Sequence, residues 1–351
     1  MDWLESAEAI GQVDDLLASV GLGHGRRKTL AGTWANGERR ALPVGQGADV
    51  AAVRRKVGVI RASGWEKYAW LRHGFSTRAG GVSRVYDPGT TRGSLKLGWT
   101  TPDDDTNVAQ NRKRFVREVA GVGDAKLVTI RQFHSGMVRV VEGGDEPLET
   151  PDGRAVLRGD GMMTNVPGVM LGVQVADCVP VLVADVRRKA VAAFHAGWRG
   201  TLARIVERGI GTMRLAYGSR PEDLVAVVGP SIGACCYSVG EEVRFEFESQ
   251  FAYAPELFSE VYDSDPVRDK YPLLFLTARA PGHSNIGPQI HLDLQEANRR
   301  QLLDAGLKAK RISMVGECTA CARAGSRLKY FSHRGESGFA GRMMGVVGIG
   351  R

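Results

Sequence analysis

Val169-Met170-Leu171-Gly172-Val173-Gln174-Val175-Ala176-Asp177-Cys178-Val179-Pro180-Val181-Leu182-Val183-Ala184-Asp185-Val186-Arg187-Arg188-Lys189-Ala190-Val191-Ala192-Ala193-Phe194-His195 is the stretch that decides the fold. Three short apolar runs, Val169–Val175, Val181–Ala184 and Ala190–Phe194, are rich in Val and Ala and end at Asp, Pro or the basic turn Arg187-Arg188-Lys189. Runs of this length and composition are buried strands. The turn before Ala190 is too short for a crossover, so the 181–194 pair is an antiparallel hairpin. A bilayer-spanning helix needs about 20 mostly apolar residues. Pro167, Gln174, Asp177, Pro180 and Asp185 interrupt the region, which excludes that reading.

Working outward, Thr201 opens a helix whose apolar positions Leu202, Ile205, Val206, Ile210 and Met213 share one face, with Thr201 or Gly200 as N-cap. A strand at Leu224–Val228 precedes the loop 229–240, and a helix begins near Glu241. Asp293 caps a helix running to Leu303, and Ile312–Val315 is a further strand. Strands and helices alternate without a repeat of 20–50 residues, which excludes a solenoid. The expected class is α/β (α+β): mixed β-sheets flanked by helices in a layered sandwich, with a single main domain over 61–351. Residues 1–60 read as an N-terminal extension. Val13-Asp14-Asp15-Leu16-Leu17-Ala18 looks like a short helix ended by Gly21-Leu22-Gly23-His24-Gly25, and a basic, Gly-rich run follows.

The 351 residues are 43% hydrophobic and 25% charged, the balance of a soluble globular protein. Met1-Asp2-Trp3-Leu4-Glu5 is acidic and no apolar core follows, so no secretion signal is expected and the chain should be cytosolic. Five cysteines do not suggest a disulfide scaffold. The net charge of +8 is spread out: residues 1–60 hold 8 Lys/Arg against 7 Asp/Glu, leaving +7 for the remainder. Without a basic block, this pattern argues for solvated surface or an anionic small substrate over nucleic acid.

Several signatures are absent, among them Gly-x-x-x-x-Gly-Lys, His-Glu-x-x-His and His-x-Glu. Gly229-Pro230-Ser231-Ile232-Gly233 matches Gly-x-Ser-x-Gly after a strand, but no helix follows the serine directly as a nucleophile elbow requires. Cys318-x-x-Cys321 has the spacing of half a zinc ribbon without a second pair at ribbon distance. The adjacent Cys235-Cys236 are poorly set for one metal. Cys318 and Cys321 read as structural or incidental cysteines, and Cys235 and Cys236 as buried ones.

Asp177-Cys178 and His195-Ala196-Gly197-Trp198-Arg199-Gly200 each lie at the end of a buried strand, where α/β proteins gather reactive side chains. His134, in Arg131-Gln132-Phe133-His134-Ser135-Gly136, lies 44 residues before Cys178, and His195 lies 17 after it. Each histidine taken alone reads as a satisfied core residue. A metal site could form from them only through the tertiary fold.

An ordered series of motifs resembles the multi-copper polyphenol oxidase or laccase-domain family, also described as purine nucleoside phosphorylases and, in some bacteria, as a peptidoglycan editing factor. The series is His73-Gly74-Phe75-Ser76-Thr77-Arg78, Gly80-Gly81-Val82-Ser83, Ser94-Leu95-Lys96-Leu97-Gly98, Asn111-Arg112 and Gln132-Phe133-His134. It continues through Gly159-Asp160-Gly161-Met162, Ala176-Asp177-Cys178-Val179-Pro180, His195 to Gly200, Gly229 to Gly233, Asp293-Leu294, Cys318-Thr319 and Phe331-Ser332-His333-Arg334. The resemblance covers about residues 65–350.

The resemblance implies one divalent ion, usually zinc and alternatively copper, held by His134, Cys178 and His195. Two imidazoles and a thiolate leave the fourth tetrahedral position open, the pattern of a catalytic zinc able to lower the pKa of bound water toward ~7. It implies phosphorolysis of purine nucleosides (adenosine, inosine, guanosine or methylthioadenosine) to base and pentose 1-phosphate, together with adenosine deamination. Asp177 would be the acid/base or orient a ligand, and a salt bridge is its plainer use. Arg199, between Gly197 and Gly200, and Ser76 with Arg78 would hold phosphate. Purine nucleoside and phosphate are then the partners, with no membrane. Copper-dependent polyphenol oxidase, a hydrolase editing peptidoglycan precursors, and a metal-free Cys178/His195 hydrolase are the competing readings. Seven scattered histidines provide little for several coppers. Two departures stand out: Lys96 replaces a usual Asn, and Gly335 follows Arg334 where a second Arg is common.

Overall fold

The computed structural model describes residues 56–87, 93–100, 103–121, 125–143, 148–151, 153–261 and 289–351. The short helix expected at 13–18 and most of the 1–60 extension lie outside the described residues. Among those described, no helix is long and apolar enough to cross a membrane.

The strands of the three largest sheets are, in chain order, β1 (Val59–Ile60), β2 (Leu71–Ser76), β3 (Lys126–Thr129), β4 (Val138–Val140), β5 (Gly161–Thr164), β6 (Val169–Val175) and β7 (Val179–Asp185). They are followed by β8 (Ala190–Ala196), β9 (Leu224–Val228), β10 (Ser238–Val239), β11 (Phe258–Val261), β12 (Gln289–Leu292), β13 (Ile312–Met314) and β14 (Met343–Ile349). One sheet has the order β1-β2-β14-β6-β3 and the other β13-β9-β7-β8-β5-β4, with β10-β12-β11 forming a smaller third. The two larger sheets are mixed as expected. β3 runs parallel to β6, β4 to β5, and β13 to β9, while β7 and β8 form the antiparallel hairpin.

Both faces of the central strands are covered, which explains their unbroken Val/Ala runs. Leu182 and Ala184 of β7 pack with Phe75, Leu171, Val173 and Val347 between the two sheets. Val181 and Val183 point the other way, toward Ile205, Val206, Ile210 and Met213. Helix α1 (Asp105–Ala120) presents Phe115 and Val119 to Met170 and Val346 on the outer face of the five-stranded sheet. Its first turn is closed by Asp104, whose side chain accepts from Thr106 N–H. Val57, Val59 and Ile60 belong to this body, since Val57 is buried in the same cluster and β1 pairs with β2.

The helix expected from Thr201 is two helices, α2 (Trp198–Leu202) with N-cap Gly197 and α3 (Ile205–Tyr217). Arg204 sits in the left-handed region at φ 54° and breaks them apart. Its guanidinium bonds Glu207 and the Gln250 carbonyl and stacks on Phe251. The break is invisible to periodicity because both pieces bury the same apolar stripe. Helix α4 (Glu241–Gln250) starts where expected. So does α5 (Leu294–Asp304), with the Asp293 side chain accepting from Glu296 N–H.

Candidate metal centre

The chain leaves the five-stranded sheet at Val175 and enters the six-stranded one at Val179, so Ala176, Asp177 and Cys178 form the bend between sheets. Neighbouring side chains on a strand point to opposite faces. Asp177 and Cys178 escape this because Asp177 adopts φ 91°. Antiparallel pairing with β7 sets the end of β8 beside this bend, bringing His195 opposite Pro180. His134 reaches the same point from the loop after β3, also with positive φ, 62°.

The trio converges. Cys178 Sγ lies 3.8 Å from His134 Nε2, and the ligand atoms of His134, Cys178 and His195 all fall within 4.8 Å of one another. The rings of His134 and His195 meet edge to face at 4.9 Å between centroids. A tetrahedral zinc with ordinary Zn–S and Zn–N bonds places such atoms about 3.6 Å apart. The donors therefore fit one ion with little rearrangement. Gly197 leaves the room: a Cβ there would stand 3.0 Å from Cys178 Sγ and 3.0 Å from His134 Cδ2.

Asp160 organises the trio. Fully buried, it accepts from His195 Nδ1 at 2.8 Å, from His134 N–H at 3.0 Å, and from both the N–H and Oγ of Ser135 at 2.6 and 2.7 Å. Asp160 lies in the Gly159-Asp160-Gly161-Met162 motif. An acidic residue within a Gly-Asp-Gly turn carries no local sign of which histidine it will meet.

The charges are coupled. Burial raises the Cys178 thiol, but facing His195 and His134 brings it down to about 6 in the metal-free protein. Burial lowers His195, and the Cys178 thiolate and Asp160 reverse this, pushing it up to about 9. Asp160 falls to about 2: burial raises it, and the His195 and Ser135 hydrogen bonds prevail.

The site opens into a cavity of about 830 Å³, lined among others by Trp99, Gln132, Tyr237, His333, Arg334 and Arg342. That volume accommodates a small organic ligand. Asp177 lines it with both carboxylate oxygens already partnered, Oδ1 by Thr319 Oγ1 and Oδ2 by Arg334 N–H, each at 2.7 Å. Arg199 is exposed and stacks on Trp198 at 4.3 Å; its charge is felt by Tyr237.

Ser76 and Arg78, expected to hold phosphate, are not among the residues that line this cavity. Ser76 Oγ accepts from Met344 N–H and ties β2 to β14. The buried Arg78 guanidinium is consumed by Asp87, Glu336 and the Tyr86 carbonyl. Lys96 is likewise internal, fully buried with Asp103 at 3.9 Å, so its replacement of Asn falls on the fold and not on the pocket. Ser231 is buried and followed by a turn, with no nucleophile elbow. The four remaining cysteines, Cys235, Cys236, Cys318 and Cys321, lie together, with Cys318 buried, Cys236 half-buried and Cys235 and Cys321 exposed.

Residues 72–350 match the family model described as multi-copper polyphenol oxidoreductase laccase. The chain belongs to this family. It is 32% identical over 289 residues to the purine nucleoside phosphorylase YlmD of Geobacillus stearothermophilus, covering 81% of this chain and 95% of that protein. A protein named adenosine deaminase RL5, from an unknown prokaryotic organism, is 32% identical over 233 residues, 66% of this chain and 78% of that one. Among solved structures, the Bacillus licheniformis hypothetical protein YfiH superposes with a TM-score of 0.67 at 29% identity, covering 83% of this chain and 96% of that one.

Proposed function

We propose that the protein is a zinc-dependent purine nucleoside phosphorylase with adenosine deaminase activity. The observation that carries this reading is the convergence of His134, Cys178 and His195 within 4.8 Å at a cavity of about 830 Å³. The kinship with proteins named for both activities supports it. A bound divalent ion supplies Lewis acidity at an open coordination position. The ligand set favours zinc over several coppers, because among the described residues only two histidines share the site with Cys178.

The chain's own residues then do the rest. The purine nucleoside occupies the cavity between Trp99 and Tyr237. Arg334 and Arg342 line the wall, and the charge of the exposed Arg199 is felt at Tyr237, so the approach is cationic and suits a phosphate dianion. Phosphate oxygen bonds to the anomeric carbon as the bond from that carbon to the purine nitrogen breaks, and the purine takes up a proton. The products are free base and pentose 1-phosphate. Asp177, fixed by Thr319 and Arg334, manages protons at the purine, since each of its oxygens keeps a lone pair beyond the bond it already accepts.

The deciding experiment incubates the purified protein with adenosine, with and without phosphate. Adenine should appear only with phosphate, and inosine in both cases. Release of adenine without phosphate, or neither product, overturns the reading. As a control on the rim, Arg199→Ala should reduce phosphorolysis more than deamination.

A further inference from the structure

Four of the five cysteines take no part in the pocket. Cys235 and Cys236 lie in the loop after β9, and Cys318 and Cys321 in the loop after β13. The two loops are stitched together. Ser231 and Cys318 form a parallel bridge, and Thr319 N–H donates to the Ser231 carbonyl at 3.0 Å. Each loop then turns back on itself, through Cys236 N–H to Gly233 O in one and Ala322 N–H to Cys318 O in the other, both at 3.0 Å. In a turn, unlike a strand, adjacent side chains can converge on one point. That removes the objection to Cys235-Cys236 as a pair of ligands.

The result is four sulfurs within 4.8 Å of one another, with Cys235 and Cys321 at 3.7 Å. A tetrahedral zinc with Zn–S bonds of about 2.3 Å sets its sulfurs about 3.8 Å apart. Gly233 keeps the loops this close: a Cβ there would meet Cys318 Cβ at 3.2 Å and Cys235 Sγ at 3.4 Å.

We infer that Cys235, Cys236, Cys318 and Cys321 form a second, structural metal site, a tetrathiolate that binds one zinc ion. Soft thiolates in tetrahedral array select zinc or a single iron, and four protein ligands leave no position for a reactant. Disulfide pairing answers the geometry less well, because it joins sulfurs two by two and does not require all four at one point. The ion would clamp the two loops that support Asp177 from opposite sides, through Ile232 N–H on its carbonyl and Thr319 Oγ1 on its carboxylate. This inference is independent of what the pocket catalyses.

Native mass spectrometry of the full chain, loaded with zinc and then exposed to a competing chelator, tests it. The wild type should carry two zinc ions, and Cys318→Ser with Cys321→Ser one. His134→Ala with Cys178→Ala should also carry one, released when the remaining thiols are alkylated. Should the cysteine variant fail to fold, the His134/Cys178 variant still decides. Cobalt loading of the wild type adds a readout free of substitutions, since four thiolates give far stronger sulfur-to-cobalt charge-transfer absorption than one. An empty His134/Cys178 variant, or a mass short by two hydrogens per disulfide, overturns the inference, whereas loss of the only ion in the Cys318/Cys321 variant upholds it and counts against the pocket site instead.

Discussion

Asp160 Oδ1 lies 2.8 Å from His195 Nδ1, and the bond settles which imidazole nitrogen is left to face Cys178. Because the same carboxylate also accepts from the backbone of His134 and from Ser135, one buried anion orients two of the three candidate metal ligands. Asp160→Asn should therefore weaken zinc binding at this site by about 10–100-fold, the usual cost of losing a partner behind a ligand. Competition against a chromophoric chelator measures this. An unchanged affinity would show that Asp160 serves only the fold.

Gly197→Ala tests how tightly the trio is packed. Overpacking of this kind costs about 1–3 kcal/mol, and here the added methyl would press on Cys178 and His134, 3.0 Å away on either side. The expected outcome is zinc affinity lower by about tenfold or more, with the circular dichroism spectrum of the wild type. Equal affinity in the two proteins would mean that the loop carrying His134 gives way freely.

Zinc binding should release protons in a pH-dependent way. In the metal-free protein Cys178 titrates at about 6 and His195 at about 9, so between these values the thiol is already ionised while the imidazole still holds its proton. A ligand must be deprotonated to bind. One proton should be displaced from this pair per ion, and affinity should rise about tenfold per pH unit from 6 toward 9. Calorimetry in buffers of differing ionisation heat reads the proton count directly. A count of zero at neutral pH would refute the coupled pair.

His73 predicts an acid-sensitive window unrelated to the metal. Its ring accepts from Ala62 N–H at 2.9 Å and packs on Trp65, so it must be neutral in the fold. Burial, with some help from Arg61, lowers it from 6.5 to about 4. A base with a depressed folded pKa binds more protons when unfolded. Its contribution is present above 6.5 and is lost as pH falls toward about 4, worth about 3 kcal/mol in all. Urea unfolding across that window should show the loss, and His73→Gln should flatten it. A wild-type curve no steeper than that of the variant would contradict the assignment.

Local chemistry carried a large share of the architecture into the sequence. Val/Ala runs bounded by Asp and Pro mark β6, β7 and β8, and the short basic turn before Ala190 dictates the hairpin. Asp293 announces the start of α5 through its capping oxygen. The ordered motifs also marked His134, Cys178 and His195, although spacing alone could not have joined them.

Other features depend on pairs of residues far apart in the chain, and no periodicity encodes those. Arg204 breaks a helix that reads as continuous because both halves bury one stripe. Arg78 looks like an anion donor until Asp87 and Glu336 are seen to engage its guanidinium. Asp160 finds His195 only because β5 and β8 pair side by side, and Cys235-Cys236 find Cys318 and Cys321 only because β9 and β13 run parallel. Hydrophobic pattern and turn chemistry act over a few residues and set the elements. Which side chains end up a few ångströms apart is set by how the sheets register and pack, a property of the whole fold.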